Sequence, residues 1–101
     1  MIAYNGLLIL LPDEESYRMK DECSLWIKRE PEKNIHRYYY LHIQPTLFGE
    51  WDVVRQWGRI GQRGGQQRVD HYLSYDEAMR RYEALCQLRK NHQYLHEKLD
   101  F

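Results

Sequence analysis

Apolar and polar positions alternate through the middle of the chain, and a helical period takes over after Ser74. Alternation predicts a short strand at Leu25–Arg29 and a longer one at Arg37–Gln44, dense in aromatic and β-branched residues. In the longer strand Tyr39, Leu41 and Ile43 share one face, and Tyr38, Tyr40 and His42 share the other. Pro45 stops it, and Thr46–Glu50 reads as a hairpin connection with Gly49 at positive φ. A third strand is expected from Trp51 to Trp57, a glycine-punctuated loop from Gly58 to Gly65, and a fourth strand from Gln66 to Leu73. Ser74 with Glu77 then forms a capping-box signature, in which hydroxyl and carboxylate each satisfy an orphaned backbone N–H. Ala78, Tyr82, Leu85 and either Cys86 or Arg89 follow at helical spacing, with Arg80, Arg81, Glu83 and Lys90 outside.

Consecutive strands with short connections argue for an antiparallel meander. The predicted fold is therefore α+β: a small antiparallel sheet of four or five strands with one main helix packed on one face. Residues 1–24 read as an N-terminal extension. Its Leu7–Leu11 run forms an added strand or a loosely held segment, ended by Pro12. Residues 25–101 make the domain, and its tail from His92 keeps Tyr94, Leu95, Leu99 and Phe101, enough apolar surface to fold back on the body.

Composition narrows the class. The chain has 101 residues, a charged fraction of 30% and a mean hydropathy of −0.85, which suits a single soluble domain. Net charge is zero, yet residues 25–92 carry twelve Lys/Arg against eight Asp/Glu, while the extension is acidic. Only the body is thus suited to a polyanion. Cys23 and Cys86 lie in no CxxC or nucleophile motif and read as reduced thiols in a cytoplasmic protein. The Leu7–Leu11 run is far short of the roughly 20 residues needed to span a bilayer.

The chemistry concentrates at Trp57-Gly58-Arg59. Val53 through Val69 contains no acidic residue, while Arg55, Arg59, Arg63 and Arg68 are all basic. Gly58 is expected to bend the backbone and leave Trp57 and Arg59 together, with nearby N–H groups open to an anion. An indole framed by unopposed guanidiniums suits an anion that carries a flat or sugar face, such as a nucleic-acid terminus. The bland alternative makes Trp57 core and the arginines a solvated face. A protein–protein adaptor is the other candidate. Nine tyrosines and three tryptophans exceed what so small a core requires, and the helix leaves one sheet face uncovered. Enzymatic and metal chemistry find little support. His92 and His96 stand at i, i+4, but no third ligand is near and no catalytic arrangement is legible. No cofactor is expected.

Taken in order, Tyr38-Tyr39-Tyr40-Leu41, then Trp57-Gly58-Arg59-Ile60-Gly61 with Gly64 and Gly65, then Ser74 with Glu77-Ala78 and the basic helix end Arg89-Lys90, resemble the WGR domain. The segment Leu41–Trp57, including Gln44–Trp51, is similar to the short free-standing bacterial members. The resemblance implies a sheet with a helix on one face and the role this module has in DNA-dependent poly(ADP-ribose) polymerases. There it grips DNA beside a strand break near the 5′ terminus and touches neighbouring domains. By that resemblance Trp57 sits against the terminal sugar or base and Arg59 on the backbone. The catalytic domain, zinc fingers and helical regulatory domain of those polymerases are not in this sequence, so ADP-ribosyl transfer is not expected of it. One departure stands out: Gln93 occupies the place where many members carry glycine before the closing aromatic, here Tyr94.

Overall fold

The computed structural model describes residues 22–98, and the backbone of 2–4 and 7–9. Strand β1 (Ile2–Tyr4) pairs antiparallel with β2 (Leu7–Ile9) as a separate two-stranded hairpin. Leu10, Leu11 and Pro12 lie outside the described residues, as do Leu99 and Phe101.

The body is a five-stranded antiparallel sheet. Its strands are β3 (Cys23–Glu30), β4 (Ile35–Pro45), β5 (Trp51–Arg59), β6 (Gln66–Tyr72) and β7 (Leu95–Glu97), with helix α1 (Tyr75–Asn91) between the last two. The order across the sheet is β6-β5-β4-β3-β7. Four strands follow as a meander, and the tail folds back to add a fifth beside β3, with Leu25 opposite Glu97 and Ile27 opposite Leu95. The predicted fold class is the observed one. Among the described residues no helix is long and apolar enough to cross a membrane.

The face carrying Tyr39, Leu41 and Ile43 packs on α1, and these side chains join Trp26 and Val53 against Ala78, Tyr82 and Leu85. Leu41, Ile43, Val53 and Leu85 are fully buried, each worth about 1.5–3 kcal/mol relative to exposure. Inside this layer Trp26 Nε1 donates to Ser24 Oγ at 2.9 Å, so the indole is buried with its polar atom satisfied. Cys23 and Cys86 are both free, and burial pushes the Cys86 thiol above its ordinary range.

Local chemistry sets the ends of the elements. Gly49 turns the β4–β5 hairpin at φ 79°, and Thr46 Oγ1 accepts from the N–H of Phe48 and of Glu50. Ser74 Oγ accepts from the Glu77 N–H at 3.2 Å and caps α1. At the other end the Gln93 N–H donates to Lys90 O and the Tyr94 N–H to Arg89 O, a Schellman closure with Gln93 at φ 68°. The position needs left-handed backbone, which glycine adopts without penalty and which this chain supplies with a glutamine; that accounts for the glycine expected here from the resemblance.

Candidate nucleic-acid interface

Trp57 and Arg59 are brought together by strand alternation, which corrects the expected bend at Gly58. Strand β5 runs through Gly58, whose register partner is Tyr38, and the chain turns only at Ile60–Gly61, where Gly61 takes φ 81°. Residues 57 and 59 are two apart on one strand and so project from the same face. The glycine serves the opposite face. A Cβ on Gly58 would sit 3.1 Å from Gly65 Cα and 3.2 Å from the Tyr38 ring, and one on Gly65 would overlap Tyr38 Oη and lie 2.8 Å from Trp57 O. Tyr38 thus fills the space that two missing side chains leave.

The indole of Trp57 is half-buried: it stacks on Tyr39 at 5.7 Å with an interplanar angle of 15° and packs against the core cluster. Tyr39 in turn carries the Arg89 guanidinium over its ring at 4.1 Å, and the same cation lies 5.0 Å from the Tyr94 ring centre. The layered order Trp57, Tyr39, Arg89, Tyr94 fixes the aromatic wall of the site from behind.

Arg59 is held by a neutral partner. Its Nη1 donates to Asn34 O at 3.1 Å and its Nη2 to Asn34 Oδ1 at 2.9 Å. Asn34 closes the 3₁₀ turn Pro31–Lys33 in the left-handed region at φ 57°, which asparagine tolerates better than most residues. Arg37 lies directly opposite Arg59 in the β4–β5 register. Among the described residues neither guanidinium meets a carboxylate. Like charges directly opposite on a sheet are unfavourable. Around this pair opens a cleft of about 330 Å³ lined by Asn34, Ile35, Arg37, Tyr38, Trp57, Gly58, Arg59 and Tyr94.

The other expected arginines part from this pair. Arg55 Nη2 donates to Asp70 Oδ2 at 2.9 Å, and Arg68 Nε to Asp70 Oδ1 at 3.3 Å. Burial alone would raise the Asp70 carboxyl, but hydrogen bonds and charge from Arg55 and Arg68 win and hold it below the usual range. Both guanidiniums are therefore opposed, contrary to the acid-free reading of the stretch. Arg63 sits in the exposed loop and has no ion-pair partner among the described residues. Two of the loop's donors are already engaged, since the Ile60 N–H donates to His36 O and the Gln62 N–H to Arg59 O. Arg37, Asn34 and Ile35 were not among the expected site residues. Only the register of β4 on β5 and the turn before β4 bring them there.

The two tail histidines do not share a helix face. His92 caps α1, and His96 lies in β7 stacked on Trp26 at 4.8 Å. Among the described residues no three His, Cys, Asp or Glu side chains could together hold a metal ion.

Residues 24–100 match the profile of one family, the WGR domain. Among curated proteins the chain is similar to an uncharacterized protein, y4dW, of Sinorhizobium fredii (strain NBRC 101917 / NGR234), with 41% identity over 68 residues. That alignment covers 65% of this chain and 33% of the relative, so the chain spans about a third of the protein it matches.

Proposed function

The chain belongs to the WGR-domain family, and from that premise we infer that it is a non-catalytic module that binds nucleic acid, engaging DNA at an end or a nick through the Trp57–Arg59 cleft. The observation that carries the reading is the adjacent Arg37 and Arg59, two guanidiniums opposite one another without a carboxylate among the described residues, beside a half-buried indole and Tyr94. A duplex interior offers a continuous backbone and no exposed base face. A terminus offers a phosphate together with an unstacked base or sugar, and this cleft joins an anion site to a flat wall in the same way.

In this reading Arg59 and Arg37 hold the terminal phosphate, and Trp57 and Tyr94 wall the terminal sugar or base. Gly58 admits the Tyr38 ring that helps line the cleft, and Arg63 approaches the flanking backbone. Arg55 and Arg68 act chiefly through Asp70, as braces of β5 and β6. The adaptor reading, with Tyr38, Tyr40 and His42 as a docking face, has less behind it, because Tyr38 is already packed on Gly58 and Gly65.

The test is a fluorescence-polarisation titration with nicked duplex bearing a 5′-phosphate, blunt duplex and intact circular duplex, repeated at several salt concentrations. Preference for the nick or end over the circle is expected, with log affinity falling against log salt by about 0.9 per phosphate engaged. Arg59→Ala and Arg37→Ala should weaken binding without lowering the melting temperature appreciably. They are cleaner probes than Trp57→Ala, which also removes packing on Tyr39. Equal affinity for all three DNAs, or unchanged binding by both arginine variants, would overturn the assignment.

A further inference from the structure

Strand β6 is an outermost strand of the sheet, with β5 on one side and no strand among the described residues on the other. The opposite edge is capped by the three-residue β7, whereas β6 offers seven residues, Gln66-Gln67-Arg68-Val69-Asp70-His71-Tyr72, without proline. An edge of this length presents a row of unpaired backbone groups to any extended segment, and proteins usually blunt it. What distinguishes this edge is its symmetry about Val69. If a second copy lies antiparallel with Val69 on the twofold axis, Arg68 of each copy stands opposite Asp70 of the other. Gln67 then meets His71, and Gln66 meets Tyr72.

We propose that β6 is a self-association edge: two copies of this chain join antiparallel through Gln66–Tyr72, centred on Val69, into one continuous sheet. Charge complementarity selects this occupant over an arbitrary strand. Directly opposite charges favour cross-strand pairing, and this register supplies them twice. Within one copy the Arg68 guanidinium reaches Asp70 only by its Nε and keeps 64% side-chain exposure, so its outer nitrogens remain available to the partner's carboxylate. Val69, 37% exposed although apolar, gains a matching valine on the twofold. The same register continues past the strand ends, setting Leu73, 75% exposed, opposite Gly65 of the second copy, where no side chain obstructs it.

Sedimentation velocity on the full chain, from micromolar to millimolar concentration and without nucleic acid, tests the proposal. A reversible monomer–dimer equilibrium is expected for the native sequence. Val69→Lys and Val69→Glu each place like charges on the twofold and should give monomers throughout. Because the position faces itself, an equimolar mixture of the two variants should restore the dimer as a mixed species. Arg68→Glu, which sets carboxylate against Asp70 twice, should raise the dissociation constant about tenfold or more. A strictly monomeric native chain overturns the proposal, as does a dimer that survives Val69→Lys. So does failure of the mixture to recover, provided circular dichroism shows both variants folded.

Discussion

Gln93→Gly should stabilise the domain, and the expected gain can be worked from the helix end. Gln93 occupies the left-handed position of a Schellman closure at φ 68°. Left-handed backbone costs an ordinary L-residue about 1–2 kcal/mol through the clash of Cβ with the following carbonyl. Glycine removes that strain but loses more conformational freedom on folding, by roughly 0.5–1 kcal/mol. Mid-range values leave a net gain of about 0.75 kcal/mol, equivalent to about 3–6 °C in melting temperature for a domain of this size. Urea melts followed by circular dichroism measure it directly, with Gln93→Ala as the comparison, since alanine keeps the Cβ and should gain nothing. The slope of unfolding free energy against urea should stay constant, because the surface exposed on unfolding is nearly the same. If Gln93→Gly proves no more stable than Gln93→Ala, backbone strain is not what this position stores, and the explanation of the family's glycine falls with it.

Two further outcomes follow from contacts described above. Gly65→Ala should destabilise by about 1–3 kcal/mol, because its Cβ meets Trp57 O at 2.8 Å and Tyr38 Oη besides, while Gly58→Ala, with nearest contacts of 3.1–3.2 Å, should cost less; reversed order in urea melts would show that Tyr38 can move aside. The depressed Asp70 carboxyl contributes stability that is fully present above the ordinary carboxylate range and lost as pH falls through its lower folded value, so Asp70→Asn should be less stable at neutral pH and show a flatter acid limb in melts across pH; an unchanged acid limb would remove Asp70 from the account.

The strands, the helix and its cap were legible because each rests on local chemistry: alternation, Pro45, Gly49 at positive φ, and Ser74 before Glu77. The cleft was legible only in part. Trp57 and Arg59 stood out as residues, but the reason for their juxtaposition was misread, since a glycine inside a strand and one in a turn look alike in sequence. Tyr38 discriminates them, and its packing on Gly58 and Gly65 depends on pairing between segments far apart in the chain. The acid-free window failed for a similar reason. It ends at Val69, yet Arg55 and Arg68 are direct neighbours across β5 and β6, which puts Asp70 one diagonal step from Arg55. A window along the chain is not a window in space once strands fold against each other. Arg37 was invisible for the same reason, being 22 residues from Arg59 in sequence and opposite it in the sheet.

The grip of Asn34 on Arg59 bears on how a ligand would be met. A long flexible side chain surrenders up to about 2 kcal/mol of rotamer freedom when it is fixed. Here both terminal nitrogens already rest on one asparagine before anything arrives, so that surrender belongs to folding and not to capture. The guanidinium waits as a rigid fork. Variation in the short turn before β4 would therefore tune how long a ligand stays.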